Sequence, residues 1–173
     1  MRHFKFKIMG DVEGQFEFVM DICNLMISDE PLTKKDKVTI LYDTPGGCFT
    51  TGTKIIEALK LLQKRTQVVI INCGHVASMG CAIFLSVRER YMMPWASFML
   101  HHARLYDVGT LSEKEAREAD KDLNKSNKLL AKMTIKKLKL TKAQLAVYNK
   151  GDDLILDFQA AEKAGVAKLL RDR

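Results

Sequence analysis

The 173-residue sequence lacks several features that would at once assign it to a class of protein. It has no uninterrupted apolar run of membrane-spanning length, and its first residues alternate between charged and apolar, so we expect neither an anchor nor a signal peptide. It also has no Pro-, Gly- or Ser-rich linker, no internal repeat and no break in composition. These absences predict a single domain over residues 1–173 that does not associate with a membrane.

The four cysteines lack the spacing of a metal site or of a disulfide framework. No two of them form a C-x-x-C pair, and Cys73 and Cys81 fall in strongly apolar segments. We therefore expect no metal, and we expect a reducing cytoplasm as the compartment.

Positive charge is in excess, with a net charge of +7 and an isoelectric point near 9.2. Such a balance would permit binding to nucleic acid. Much of the excess lies between Lys121 and Lys150, where leucines recur at helical spacing and almost no aromatic side chain is present to stack on bases. This pattern favours a solvated helix face and predicts no nucleic-acid partner.

Strands and helices alternate through the first half of the chain. Apolar patterning predicts strands over residues 4–9, 38–42, 68–72, 91–93 and 97–100, and helices over residues 16–27, 53–63 and about 78–87. This order predicts an α/β fold with a mostly parallel sheet and a ligand site at the carboxyl ends of the strands. A long charged helix is predicted over residues 111–137, with a thin apolar seam that suits another subunit.

Ser78 lies between two glycines, after a predicted buried strand and before an apolar helix. A serine is a poor nucleophile unless a base activates it and donors stabilise the oxyanion. The amide of Met79 lies at a helix N-terminus, and Gly46 and Gly47 add amides that a substrate can approach closely. The competing interpretation is that Ser78 only caps the helix.

Histidine and aspartate residues supply candidates for the other two members of a triad. His101 directly follows a strand expected to neighbour the serine strand, and His102 is its competitor for the role of base. The carboxylates that could orient the base are Asp152, Asp153 and Asp157, which flank a short apolar run. The residues alone do not choose among these three.

The order and spacing of four segments resemble the Clp protease proteolytic subunit (ClpP) family over nearly the whole chain. The segments are Pro45-Gly46-Gly47 with Thr51-Gly52, Ala77-Ser78-Met79-Gly80, Met99-Leu100-His101, and residues 161–166. The resemblance implies the ClpP/crotonase fold, in which repeated ββα units build a mostly parallel sheet. It also implies that the helix at about 111–137 is the projecting handle helix of that family.

The resemblance implies a serine endopeptidase that hydrolyses peptide bonds. Ser78 is then the nucleophile and His101 the general base. Counting back from the family's closing Ala-x-x-x-Gly pattern, here at residues 161–165, the acid falls on Asp153, with Asp152 as the fallback. By the same resemblance, the amides of Gly47 and Met79 form the oxyanion hole.

The resemblance further implies that Gly46 and Gly47 bind the substrate, that no cofactor is needed, and that peptides or unfolded proteins are cleaved inside an oligomeric chamber. The expected assembly is a heptameric ring, or two such rings stacked through the handle helix as a tetradecamer. An ATP-driven unfoldase is the family's usual partner. Because the chain begins almost at the family's first core strand, we expect the N-terminal docking segment to be short or missing, which weakens the case for this partner.

The sequence also departs from the family pattern. Asp43-Thr44 stands before Pro45 where Asn-Ser is commoner, which suggests a divergent, phage-encoded type of member. After His101 the family usually has Gln-Pro, whereas His102-Ala103 follows here. Two alternatives stay open: a catalytically silent ClpP-like ring subunit, and a crotonase-like acyl-CoA enzyme that needs no serine and histidine pair.

Overall fold

The computed structural model describes residues 1–104, 109–110 and 112–170, which form seven strands and six α-helices. The strands are β1 (His3–Met9), β2 (Lys37–Thr44), β3 (Gln67–Ala77), β4 (Glu89–Met92), β5 (Ser97–Leu100), β6 (Leu154–Leu156) and β7 (Lys168–Leu169). The helices are α1 (Phe16–Ile27), α2 (Phe49–Arg65), α3 (Met79–Phe84), α4 (Glu113–Met133), α5 (Lys142–Asn149) and α6 (Phe158–Ala164). Two 3-10 turns, Val12–Gln15 and Ile135–Lys137, complete the regular structure of these residues.

The strands form one sheet in the order β1-β2-β3-β4-β7, and every neighbouring pair in this order is parallel. β3 is long enough to pair with two successive strands: residues 69–72 pair with β4, and residues 75–77 pair with β5. β6 pairs with β5 and is the one antiparallel strand among the described residues. The predicted α/β fold with a mostly parallel sheet is therefore confirmed.

The hydrophobic core lies between the central strands and the helices that follow them. Ile40 of β2 and Ile70 of β3 are fully buried and adjacent in register. Phe84 at the end of α3 packs against Phe98 of β5, with ring centroids 5.8 Å apart. This packing ties α3 and β5 together, so the residues at the start of α3 and at the end of β5 come from one rigid part of the fold.

The long charged helix is shorter than predicted. α4 covers Glu113–Met133 and is followed by the 3-10 turn Ile135–Lys137, while Leu111 lies outside the described residues. A capping box starts α4, because Ser112 Oγ accepts from the amide of Glu115 and the Glu115 carboxylate accepts from the amide of Ser112. Within α4 only Leu130 is buried, which agrees with the sparse apolar seam of the sequence.

In the part of the chain that the structure describes, no helix combines the length and the apolar character needed to cross a bilayer.

A buried carboxylate joins the beginnings of β1 and β2. Asp36 accepts hydrogen bonds from the amide and the Nη2 of Arg2, at 2.8 and 2.9 Å, and from the amide and hydroxyl of Thr33, at 2.9 and 3.0 Å. The bonds from Arg2, first the side chain and then the backbone, hold the pKa of Asp36 well below its usual range. The ionised carboxylate is therefore favoured in the folded chain.

We expect Asp36→Asn to lower the thermal midpoint by several degrees at pH 7. A carboxylate with a depressed pKa stabilises the fold above its unfolded pKa of about 4, and this stabilisation is lost as pH falls toward the folded pKa. The gap in midpoint between wild type and variant should therefore narrow as pH is lowered below about 4. Thermal unfolding followed by circular dichroism, with the exposed Asp29→Asn as control, measures this gap. A gap that is the same at pH 7 and pH 3 would contradict the assignment.

Candidate active site

Ser78 occupies a strained turn between β3 and α3. Its φ of 54° makes it the one non-glycine residue with positive φ among those described. Such a conformation costs about 1–3 kcal/mol and persists only where the surrounding structure enforces it. Here the amide of Ser78 donates to the carbonyl of Met99 on β5 at 3.1 Å, and the carbonyl of Ser78 accepts from the amide of Cys81 at 3.0 Å.

The Ser78 hydroxyl does not act as a helix cap in this structure. Ser78 has the N-cap position of α3, but its side chain makes no capping hydrogen bond. The residue is half-buried and lines a cavity of about 340 Å³. The simpler interpretation of this serine, a structural cap, therefore lacks the hydrogen bond on which it depends.

The glycine turn after β2 lies directly against Ser78. Gly46 has a φ of +104°, and a Cβ at this position would come within 2.5 Å of Ser78 Cβ and 2.9 Å of the Ala77 carbonyl oxygen. Gly47, with a φ of +135°, lines the same cavity as Ser78. The turn can approach the serine this closely because Gly46 has no side chain.

Two backbone amides beside Ser78 are available to a ligand. Met79 is the first residue of α3, so its N–H has no acceptor within the helix. The amide of Gly47 likewise has no acceptor among the residues that the structure describes. Both residues line the cavity, so the two residues that carry the predicted oxyanion donors belong to its wall.

His101 follows β5 and faces the same cavity. The residue is 7% exposed, and its Nδ1 donates to the His102 carbonyl oxygen at 2.6 Å. Because a carbonyl can only accept, this bond places the proton on Nδ1 and leaves Nε2 as the basic nitrogen. No hydrogen bond joins the Ser78 hydroxyl to His101 among the described contacts.

His102, the competing base, has a structural contact instead. Its ring packs edge-on against Tyr148 with centroids 4.5 Å apart, and it is absent from the cavity wall formed by the described residues. The next amide, of Ala103, donates to Asn127 Oδ1 on α4 at 2.6 Å. These contacts hold the segment after His101 against α5 and α4.

The three candidate acids have different surroundings. Leu100 pairs with Leu154 in the last pair of the antiparallel β5–β6 ladder, so His101 and Asp153, each one residue beyond that pair, leave the ladder at the same end. The Asp153 carboxylate, however, forms a salt bridge with Arg104.

The other two carboxylates are further along the chain from the Leu100–Leu154 pair than Asp153 is. Asp157 is the N-cap of α6 and accepts from the amide of Ala160 at 2.8 Å, which is a structural role. Asp152 is exposed, as Asp153 is, and lies one residue further from the end of the ladder than Asp153.

Several residues of the cavity wall were not predicted. Glu13, Arg104 and Asp122 supply charge, and Leu123, Ser126 and Leu130 of α4 supply one side of the wall. Glu13 Oε1 accepts from the amide of Cys48 at 2.8 Å, a contact across 35 residues. No local pattern in the sequence signals a contact between residues so far apart in the chain.

Cys48 also lies in the cavity wall. Hydrogen bonds from the amide of Thr51, and then from the side chain of Thr51 and the amide of Thr50, lower the pKa of its thiol. A labelling experiment on Ser78 must therefore distinguish serine from cysteine.

Among the described residues, no group of histidine, cysteine and acidic side chains has the arrangement of a metal site.

Comparison with known proteins identifies relatives of the chain. Residues 5–171 match the model of the Clp protease family. The ATP-dependent Clp protease proteolytic subunit 2 of Tropheryma whipplei is 30% identical over 91 residues, which are 51% of this chain and 48% of that protein. The ATP-dependent Clp protease proteolytic subunit of Streptococcus gordonii is 28% identical over 111 residues, 63% of this chain and 55% of that protein. The chain thus spans about half the length of the curated relatives it matches.

A solved structure, that of a ClpP1 point mutant from Listeria monocytogenes, superposes with a TM-score of 0.69 at 23% identity, and the match covers 98% of this chain and 92% of that one. This likeness shows the ClpP fold. Together with the match of the family model over residues 5–171, it shows that the chain belongs to the Clp protease family.

Proposed function

We propose that the protein is a serine endopeptidase in which Ser78 is the nucleophile and His101 the general base. One observation carries the proposal: strained Ser78, whose hydroxyl makes no capping hydrogen bond, lines the same cavity as buried His101. Gly47 and Met79, whose amides have no acceptor among the described residues, line that cavity too. Strain, a nearby base and convergent donors are the features expected of an activated serine.

The chemistry follows from the roles of these groups. His101 Nε2 removes the Ser78 proton as the serine oxygen attacks the scissile carbonyl, and the amides of Gly47 and Met79 stabilise the oxyanion. The protonated imidazole then donates to the leaving amine. Water attacks the acyl-enzyme with His101 again as base, which releases the product and restores Ser78.

Asp153 is the acid of the proposed triad, and Asp152 remains the fallback. The β5–β6 register supports Asp153, because Asp153 and His101 leave the ladder at the same end, each one residue beyond the Leu100–Leu154 pair. In the active arrangement the Asp153 carboxylate accepts from His101 Nδ1, the position that the His102 carbonyl occupies in this structure. This exchange requires Asp153 to release Arg104, and an exposed salt bridge is weak enough to be released.

The family supports a broader proposal about substrate and assembly. We propose peptides or unfolded proteins as substrates, inside a heptameric ring or two stacked rings of this peptidase domain. α4 supports this assembly, because its 21 residues bury only Leu130 within the chain. The relatives are named ATP-dependent, which supports an ATP-driven unfoldase as partner. The cysteine pattern supports a cytoplasmic location.

A catalytically silent ring subunit is the second candidate. It is favoured by the Arg104–Asp153 salt bridge and by the hydrogen bond from His101 Nδ1 to the His102 carbonyl, which leave the triad unassembled in this structure. A crotonase-like acyl-CoA enzyme would use the glycine amides without Ser78. These alternatives give different results for the variants below.

We expect Ser78→Ala to lower hydrolysis of a fluorogenic peptide by at least about a thousandfold, because the group that forms the acyl-enzyme is removed. Fluorophosphonate labelling should also be lost, and mass spectrometry of wild type should locate the adduct on Ser78 and not on Cys48. Ser86→Ala, a similarly half-buried serine outside the cavity, is the control and should still label at Ser78. Hydrolysis that survives in Ser78→Ala would exclude the proposal, and an unlabelled wild type would favour the silent subunit.

We expect Asp153→Asn to lower kcat by about 10²–10⁴-fold, because the imidazolium formed by His101 would lose its carboxylate partner. Asp152→Asn, the adjacent exposed carboxylate, is the matched control and should stay within about twofold of wild type. Steady-state kinetics on one fluorogenic peptide measure both. A larger loss in Asp152→Asn than in Asp153→Asn would transfer the role of acid to Asp152.

A further inference from the structure

The 3-10 turn Val12–Gln15 is hydrogen-bonded to the glycine turn beside Ser78. The amide of Val12 donates to the Gly46 carbonyl at 2.8 Å, and Gln15 Nε2 donates to Thr44 Oγ1 at 3.3 Å. The Glu13 carboxylate accepts from the amide of Cys48 at 2.8 Å. One short turn thus holds the glycine turn at its start, middle and end.

These bonds leave one amide of the glycine turn unused. The amide of Gly46 donates to Thr44 Oγ1 at 3.1 Å, and the amide of Cys48 donates to Glu13. The amide of Gly47, between them, has no acceptor among the described residues. The two flanking bonds fix the peptide planes on either side of the amide that is the proposed oxyanion donor.

The Glu13 carboxylate also packs directly against Gly47. A Cβ at Gly47 would overlap Glu13 Oε2, so the carboxylate occupies the space that a side chain would otherwise fill. Glu13 forms no ion pair with any described residue, and its charge is therefore not used elsewhere in this part of the chain. Its visible function is the hydrogen bond to Cys48 and the contact with Gly47.

We propose that Glu13 is a positioning residue that orients the Gly47 amide toward the oxyanion. The inference rests on the proposed function, because it assigns a role within that site. Two consecutive glycines are the most flexible backbone that a chain can have, and an oxyanion donor must be held within about 3 Å of the developing charge. A turn of this composition needs support from outside itself, and Glu13 provides it on the Cys48 side of the Gly47 amide while the amide of Val12 holds the Gly46 carbonyl.

This role has a kinetic signature. The oxyanion exists in the transition state and not in the bound substrate, so a misplaced donor lowers kcat and leaves KM nearly unchanged. The hydrogen bond needs an acceptor at the correct reach, whereas the charge itself is secondary. A side chain of the same length without charge should therefore replace Glu13 better than a shorter charged one.

The test compares Glu13→Gln with Glu13→Asp. Glutamine keeps an acceptor oxygen at the same reach, and aspartate keeps the charge but is one methylene shorter. We expect the kcat of Glu13→Gln to stay within about threefold of wild type and the kcat of Glu13→Asp to fall about tenfold. That loss is smaller than the 10²–10³-fold loss in kcat expected when a whole oxyanion donor is removed. The measurements are kcat and KM on a fluorogenic peptide and the rate constant of fluorophosphonate labelling at Ser78.

Glu17→Asp makes the same change four residues away, on the exposed side of α1, and should leave the labelling rate unchanged. All rates are compared at a temperature where circular dichroism shows every variant folded. The positioning role would be overturned if the kcat and labelling rate of Glu13→Asp equalled or exceeded those of Glu13→Gln. It would also be overturned if these rates fell only in step with the thermal midpoint. If wild type does not label at all, the proposed function and the role of Glu13 both fail. If wild type labels and Glu13→Asp labels as fast as Glu13→Gln, only the role of Glu13 fails.

Discussion

The site depends on the pairing of β3 with two successive strands. β3 pairs first with β4 and then with β5, and it runs on to Ala77, so that Ser78 begins where the β5 ladder ends. The hydrogen bond from the Ser78 amide to the Met99 carbonyl closes this ladder and supports the strained φ of the serine. His101 comes two residues after Met99, directly after the end of β5. The register of one strand therefore brings the serine and the histidine to one edge of the sheet.

The sheet also explains which features of the site could be predicted from the sequence. Buried strands and the order of elements follow from apolar patterning, and the sequence singles out Ser78 by its position between two glycines before an apolar helix, and His101 by its position directly after a strand. The strand predicted over residues 68–72 is shorter than β3, since polar Asn72 and Gly74 interrupt the apolar pattern although the strand continues past them. Backbone pairing with β5, which no local pattern reveals, extends the strand to the serine.

Contacts between distant segments account for what the sequence did not reveal. Glu13 reaches the amide of Cys48 because β1 and β2 are neighbours and their following loops meet. Arg104 reaches Asp153 because β5 and β6 are antiparallel. That second contact occupies the Asp153 carboxylate, which the proposed function assigns to His101. The proposed triad requires Asp153 to exchange Arg104 for His101, because the structure pairs the Asp153 carboxylate with Arg104.

The most direct measurement is a crystal structure of the protein with a peptide boronate, which forms a tetrahedral adduct only with an activated nucleophile. We expect boron bonded to Ser78 Oγ, with one boronate oxygen within about 3 Å of the amides of Gly47 and Met79 and with His101 Nε2 facing the adduct. An adduct whose oxygens contact neither amide, or a peptide bound in the cavity with Ser78 unmodified, would contradict this expectation.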